Sequence, residues 1–72
     1  MLEIRSPIAG SVWKLEKQAG ETVGRDEAIL ILESMKMEFP IQAPSRGVVS
    51  KILVAESELV DEGALVALME VS

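Results

Sequence analysis

Glu33-Ser34-Met35-Lys36-Met37-Glu38-Phe39 lies almost at the midpoint of the 72-residue chain. One lysine stands between two methionines, and runs of residues that favour β-strands lead into the stretch and out of it. We interpret the stretch as the tip of a β-hairpin that projects Lys36 into solvent. Hairpin tips usually carry Gly, Asn or Asp, which tolerate a left-handed backbone. Two large methionines in their place point to a partner that recognises the tip, since exposed methionines make adaptable contact surfaces.

Each residue of this stretch also has a simpler interpretation. An exposed lysine at a turn is most often a solubilising charge, and a methionine is most often a filler of the apolar core. Neither interpretation explains why both methionines flank the lysine at the point where turn-forming residues are expected.

The chain on either side of the stretch repeats with an offset of 37 residues and no gap. The aligned pairs include Pro7 with Pro44, Gly10 with Gly47, Glu21 with Glu58, Val23 with Val60 and Glu33 with Glu70. Two copies are too few for an extended array. We therefore predict a closed pair of sheets related by a two-fold axis, because each copy buries its apolar face against the other. Lys36 lies at the junction of the copies, so the hairpin and the chain termini are expected at opposite ends.

Glycines and prolines divide the chain into short segments rich in Val, Ile and Leu, which predicts an all-β sandwich or barrel. We predict strands over residues 2–6, 11–17, 22–23, 28–32 and 64–69. Ala28–Leu32 is continuously apolar, so both faces of that strand are expected to be covered.

Composition excludes several classes of function. The chain has no cysteine and no histidine, which excludes Cys/His zinc sites, thiol nucleophiles and histidine general bases. The net charge of −5 disfavours nucleic acid and anionic membranes as partners. A domain this short has little room for a substrate cleft of about 300 Å³ or more, so we expect no enzyme. The carboxylates show no spacing typical of a metal or catalytic site, and we interpret them as solvated faces.

The N-terminal residues have no export-signal layout, and the longest apolar run is too short to cross a bilayer. A cytoplasmic or organelle-matrix location is therefore expected.

Residues 33–38 closely resemble the (Ala/Ser)-Met-Lys-Met attachment motif of biotinyl domains, the biotin carrier modules of biotin-dependent carboxylases. The resemblance covers essentially the whole chain, and its other features are Pro7 with Gly10, residues 20–23, Ala43-Pro44 with residues 47–49, and residues 62–65. It implies one domain over residues 1–72, with repeat halves at about 2–35 and 39–72. It also implies a flattened barrel or sandwich of two four-stranded antiparallel sheets with pseudo-two-fold symmetry.

The resemblance further implies that biotin is attached covalently to Lys36 by an amide bond. Met35 and Met37 would be the recognition motif, flanked by Glu33, Ser34 and Glu38. Biotin protein ligase would modify the lysine, and the domain would shuttle carboxyl groups between biotin carboxylase and carboxyltransferase components, as in acetyl-CoA carboxylase or a related system. No catalytic residue and no metal ligand is expected in this chain.

Three positions depart from the commonest family pattern. Ser34 replaces a more usual alanine, which is a small change. Asp26 stands where the second copy has Gly63, and Ser57 stands where the first copy has Gly20. Asp and Ser are compatible with turns, so we expect these turns to form, with more strain than glycine would give.

Two alternatives remain open. A lipoyl domain is expected to have the same fold with its lysine at the same hairpin, typically preceded by Asp and followed by Ala. Methionine on both sides favours biotin, although a domain accepting both biotin and lipoate stays possible. The other alternative is an unmodified β-scaffold that binds a partner, for which Trp13 could be a platform. The simpler interpretation of Trp13 is that it packs against a sheet.

Overall fold

Eight β-strands and no helix make up the structure, a computed structural model that describes residues 1–72. The strands are β1 (Leu2–Arg5), β2 (Gly10–Leu15), β3 (Thr22–Val23), β4 (Ala28–Ser34), β5 (Met37–Gln42), β6 (Gly47–Ile52), β7 (Leu59–Val60) and β8 (Leu65–Val71). Each strand predicted from the sequence is present, with ends that differ by at most two residues. No helix long and apolar enough to cross a membrane occurs.

The strands form two four-stranded sheets in the orders β1-β8-β6-β3 and β5-β4-β2-β7, and every pairing is antiparallel. The predicted all-β fold of two four-stranded antiparallel sheets is therefore confirmed. When residue numbers are shifted by the repeat offset of 37, β1, β8, β6 and β3 coincide with β5, β4, β2 and β7. This is the strand order of the other sheet. The pseudo-two-fold relation thus exchanges the sheets.

The repeat extends to the register of single residues. Leu2 pairs with Met69 in one sheet, and Leu32 pairs with Phe39 at the corresponding place in the other. Both β2 and β6 contain an irregularity at equivalent points, one at Trp13 and the other at Ser50. The two copies therefore have the same backbone path in detail.

Bulges explain why β4 is apolar at consecutive positions. Ala28 pairs with Gln42 and Leu30 with Ile41, which leaves Ile29 as an extra residue in the ladder. An extra residue shifts the alternation of side chains, so that two neighbours can face the same side. Ile29 and Leu30 are indeed both buried. The prediction that both faces of this strand are covered was wrong for the outer face, where Ile31 is only half-buried.

One apolar core fills the space between the sheets, with contributions from every strand. Its members are Ile4, Val12, Val23, Ile29, Leu30, Leu32, Ile41, Ala43, Val49, Val60, Val66, Ala67 and Met69. Burying a side chain of this size stabilises the fold by about 1.5–3 kcal/mol each. Because no disulfide adds to this burial, the fold depends on the match between the two inner faces.

The β4–β5 hairpin and the chain termini lie at opposite ends, as the repeat predicts. Leu2 at the start of β1 pairs with Met69 near the end of β8, which brings the termini together. β1 runs from there to Arg5, and the chain then turns into Gly10, which starts β2. Gly10 lies beside the hairpin, since a side chain there would meet the Glu33 carbonyl oxygen at 2.7 Å. The length of β1 and β8 therefore separates the termini from the hairpin.

Left-handed residues occupy equivalent turns in both copies. Gly20 and Ser57 have φ of 94° and 74°, and Gly63 and Asp26 have φ of 85° and 67°. The Gly20 amide donates to the Val49 carbonyl at 2.7 Å, and the Ser57 amide donates to the corresponding carbonyl at the same distance. Ser57 and Asp26 thus adopt the conformation that glycine adopts in the sister copy, with the steric strain expected of side chains there.

Several carboxylates fasten turns to the backbone, which corrects the interpretation that the acidic residues only solvate the surface. The Glu21 carboxylate accepts from the Gln18 amide at 2.7 Å, and Glu58 accepts from the Ala55 amide at 2.9 Å in the sister turn. Charged hydrogen bonds of this kind are stronger than neutral ones. They help to fix the two loops that hold the short strands β3 and β7.

We predict that Gly47→Ala strongly destabilises the domain. Gly47 is buried, and a Cβ atom there would overlap the Glu70 carbonyl oxygen and lie 2.9 Å from the Met69 methyl group. Since the obstruction is backbone in the neighbouring strand, the sheet has to open, at a cost of about 3 kcal/mol or more. Urea denaturation measures the loss.

Gly24→Ala is the matched control, because the nearest atom to its Cβ would be a flexible Glu27 carboxylate oxygen at 3.6 Å. Its unfolding midpoint is expected to stay close to that of the parent. Equal midpoints for both variants would show that β6 and β8 do not approach each other as described.

Glu27 forms an ion pair that the second copy lacks. It accepts from the Gly24 amide at 2.8 Å and pairs with the Lys17 ammonium at 3.0 Å. The Gly24 hydrogen bond, followed by the one from Lys17, lowers the pKa of Glu27, and the hydrogen bond with Glu27 raises the pKa of Lys17. A carboxyl group whose pKa is lowered by folding stabilises the folded state at pH values above its pKa in the unfolded chain. This stabilisation is lost as the pH falls through the pKa of the group in the folded state.

Glu27→Gln is therefore expected to reduce stability at pH 7 and to reduce the loss of stability below about pH 4. A raised lysine pKa acts in the opposite direction, so the Lys17 contribution is complete at neutral pH and disappears only in strong alkali. Urea midpoints between pH 2 and pH 7, with Glu62→Gln as the control, measure the effect. Parallel pH profiles for parent and Glu27→Gln would contradict it.

Candidate functional site

The tip of the β4–β5 hairpin is a two-residue turn. Ser34 and Met37 form the last pair of the ladder, and Met35 and Lys36 connect them with φ of 52° and 62°. Positive φ at both central residues is the signature of a type I′ turn, whose twist matches that of the flanking strands. The strand register therefore forces Met35 and Lys36 into a left-handed backbone conformation, which neither residue type favours.

The turn exposes the side chains that a core would normally contain. Met35 is 91% exposed and Met37 is 60% exposed, and Lys36 is exposed between them. Methionine is therefore not core filler at either position. The structure has three ion pairs, and Lys36 takes part in none of them. An exposed primary amine with open space around it fits a group attached through an amide, because neither packing nor a salt bridge has to be broken.

The base of the hairpin holds the tip rigidly. Glu33 pairs with Glu38 and Ser11, and Phe39 packs against the core one position further along. Gly10 leaves no room beside the Glu33 carbonyl, so β2 and β4 approach closely at this point. A short turn on a fully paired ladder gives Lys36 a stiff support.

Two carboxylates face each other on this support. Glu33 and Glu38 are direct cross-strand partners, and neither forms an ion pair. Like charges at directly opposite positions destabilise a sheet. Acylation of Lys36 would remove a positive charge from the tip and leave the tip more acidic.

Other candidates lie elsewhere. Trp13 is 48% exposed on the irregularity of β2 and is not a member of the core, so it lies half-covered at the surface of its sheet. A shallow, open groove of about 300 Å³ lies where the edge strands β1 and β5 meet, and no residue of the hairpin tip lines it. Its Glu3 and Arg5 are paired with each other at 2.9 Å.

Sequence reasoning missed one exposed residue near the tip. Leu59, for which no prediction was made from the sequence, is 81% exposed on β7. The signal was available in the repeat, because the residue at the same place in the first copy is the polar Thr22.

Residues 2–69 match the family described as "Biotin-requiring enzyme", the biotin/lipoyl domains. The chain belongs to the biotin/lipoyl attachment domain family. The resemblance that was stated from residues 33–38 is thereby confirmed.

Three known proteins illustrate the relationship. The biotinylated protein TB7.3 homolog of Mycobacterium leprae is 34% identical over 67 residues, which cover 93% of this chain and 94% of that protein. The crystal structure of Kluyveromyces lactis urea carboxylase superposes with a TM-score of 0.91 at 32% identity, over 96% of this chain but only 6% of that one. The lipoyl domain of the 2-oxoglutarate dehydrogenase complex from Azotobacter vinelandii has a TM-score of 0.81 at 29% identity, covering 97% and 96% of the two chains.

These similarities identify a carrier domain of the biotinyl type and not a catalyst. Such a domain presents a cofactor to enzymes that carry out the chemistry. The hairpin tip suits that task, because Lys36 is exposed between exposed Met35 and Met37 and forms no ion pair.

We predict that Met35→Asn stabilises the domain. Met35 has φ of 52°, where asparagine is tolerated better than an unbranched apolar residue, and relief of the strain is worth roughly 1 kcal/mol. Its side chain makes no buried contact that would be lost. The urea midpoint should therefore rise.

Met37→Asn is the control, because Met37 lies on β5 outside the left-handed region. It should give no comparable gain. A lower midpoint for Met35→Asn would contradict the turn geometry described above.

Proposed function

We propose that Lys36 carries biotin in amide linkage and that the domain delivers carboxyl groups within a biotin-dependent carboxylase. The observation that supports the site is the exposed, unpaired Lys36 on a rigid two-residue turn between exposed Met35 and Met37. Met35 and Met37 act as the recognised motif, and Glu33, Ser34 and Glu38 form its flank. When bound, biotin supplies a ring nitrogen that carries the carboxyl group.

Attachment requires a neutral amine. The Nζ lone pair of Lys36 would attack the activated carboxyl carbon of biotin, the C–N bond would form as the activating group leaves with the electrons of the C–O bond, and the nitrogen would lose a proton. No carboxylate of this chain is paired with Lys36 to accept that proton. The base is therefore supplied by biotin protein ligase, for which the domain is a substrate.

The carrier role follows from tethering. A group held on a mobile arm reaches two active sites at high effective concentration, without dissociation between visits. The long flexible lysine stem provides the mobility, and the paired hairpin provides a stiff base. The partners in this role are the biotin carboxylase and carboxyltransferase components, and the compartment is the cytoplasm or an organelle matrix.

Lipoate is the second candidate for the same lysine. The lipoyl domain from Azotobacter vinelandii has this fold over nearly its whole length, so the backbone alone does not discriminate between the two groups. The residues at the tip favour biotin, since methionines stand on both sides of Lys36. Lys36 as an anchor is common to both candidates, and they differ in the ligase that recognises the tip.

Expression with biotin protein ligase and biotin is expected to add one biotinyl group, detected as an intact-mass increase and a streptavidin signal. Lys36→Arg should abolish both, because a guanidinium is too weakly nucleophilic to be acylated while its charge and length are retained. Lys51→Arg, a change on β6, should leave them unchanged.

Parallel expression with a lipoyl ligase and lipoate tests the second candidate by the different mass of the added group. Biotin retained in Lys36→Arg would show that another lysine is the site. A parent chain that takes up lipoate and no biotin would replace the biotin proposal with the lipoyl one.

A further inference from the structure

Leu59 is exposed at a position where the fold does not require an apolar side chain. The two copies share strand order, register and turns, so a residue that the fold requires should appear in both. The first copy has Thr22 at the equivalent place on β3, which shows that this position accepts a polar side chain. Leu59 is nonetheless 81% exposed on β7. A single exposed leucine needs no explanation by itself, so its significance depends on which residues lie beside it.

Leu59 lies on the same face as the base of the lysine hairpin. It pairs with Ser11, Ser11 pairs with Glu33, and Glu33 pairs with Glu38. Direct cross-strand partners share a face of the sheet. The neighbouring Val60 is buried, so this face is the outer one. Strands lie about 4.8 Å apart, which puts Leu59 roughly 10 Å from Glu33. We call the row Leu59, Ser11, Glu33 and Glu38 the tip face.

The tip face combines an apolar side chain at one edge with two unpaired carboxylates at the other. The small, half-buried side chain of Ser11 lies between them, so the surface is recessed in the middle of the row. A surface that fits this row has an apolar pocket for Leu59 and a cationic side chain opposite Glu33 and Glu38. Such a cation would also relieve the repulsion between the two carboxylates, because they have no counter-ion within the chain.

The equivalent row of the other sheet has different chemistry. The repeat offset places Thr22, Val48, Glu70 and Met1 there, with one carboxylate in place of two and a polar residue in place of the leucine. It lies at the end with the termini, away from Lys36. Met1 and Val48 are exposed apolar residues in that row, so an apolar side chain near a carboxylate is not particular to the tip face. The facing pair of carboxylates next to Lys36 is particular to it.

We propose that the tip face is the surface on which biotin protein ligase docks, with Leu59 as its apolar anchor. This inference rests on the proposed acylation of Lys36. The ligase must bring its active site to the Nζ atom itself, which extends from the backbone by only a four-carbon stem. Its surface therefore has to cover the residues that surround the hairpin. A carboxylase active site is reached through the longer biotinylated arm and needs no such close contact.

The test compares Leu59→Thr with the parent chain, using purified biotin protein ligase, biotin and ATP. Threonine copies the first repeat, so the fold is expected to tolerate it, and equal urea midpoints confirm this. Loss of an apolar anchor residue is expected to lower affinity by about tenfold. We expect kcat/KM for the domain to fall by about that factor through a higher KM, with kcat at saturation unchanged.

Val71→Thr is the matched control, because Val71 is 54% exposed at the opposite end of the molecule. It should stay within about twofold of the parent. Leu59→Lys provides a second variant and should lower kcat/KM further, since it places a charge in the apolar pocket inferred for Leu59.

The outcomes separate this inference from the proposed function. A parent that is biotinylated on Lys36, with both Leu59 variants equal to it in KM, would overturn docking through Leu59 and leave the carrier role intact. A fall in kcat alone would also overturn docking, because it would place the effect after binding. A parent chain that takes up no biotin would overturn both proposals.

Discussion

The apolar faces of the two sheets can be buried only against each other, and this constraint determines the architecture. Each sheet contains two strands from the first copy and two from the second: β1 and β3 pair with β8 and β6, and β2 and β4 pair with β7 and β5. Neither copy can form a complete sheet or cover its own apolar residues. A chain of this size buries only about 60% of its unfolded surface, so the interlocked arrangement leaves no independent half.

The same interlocking explains why the lysine tip is free. β4 and β5 pair across the junction of the copies, and β8 and β1 pair in the equivalent place. One of these junctions is covalently closed by Met35 and Lys36, and the other is formed by the chain ends. The pseudo-two-fold relation exchanges them and puts them at opposite ends. Lys36 therefore lies at the end of the molecule opposite the chain termini.

Sequence reasoning predicted the strands and their symmetry because the repeat has no gap, so each copy served as a check on the other. It did not predict that Ile29 and Leu30 face the same side, because strict alternation along a strand does not account for a bulge. The turn bonds of Glu21 and Glu58 had a visible signal, since both glutamates recur at the repeat offset. The exposure of Leu59 required knowledge of which face of β7 points outward.

The left-handed turn at the tip shows most clearly how register overrides residue preference. Each residue other than glycine in this region costs roughly 1–2 kcal/mol, and a domain of this length is stabilised by only about 4–11 kcal/mol. Pairing along the β4–β5 ladder offsets this cost. Its six residue pairs leave only Met35 and Lys36 to reverse the chain.

Glycine at these two positions would remove the strain, but it would also admit many backbone conformations. Side chains larger than hydrogen confine a left-handed residue to a narrow range of φ and ψ. The direction in which Lys36 leaves the sheet is therefore fixed by the same steric contacts that make the turn costly. The tip therefore combines a fixed direction at the backbone with a flexible lysine stem beyond it.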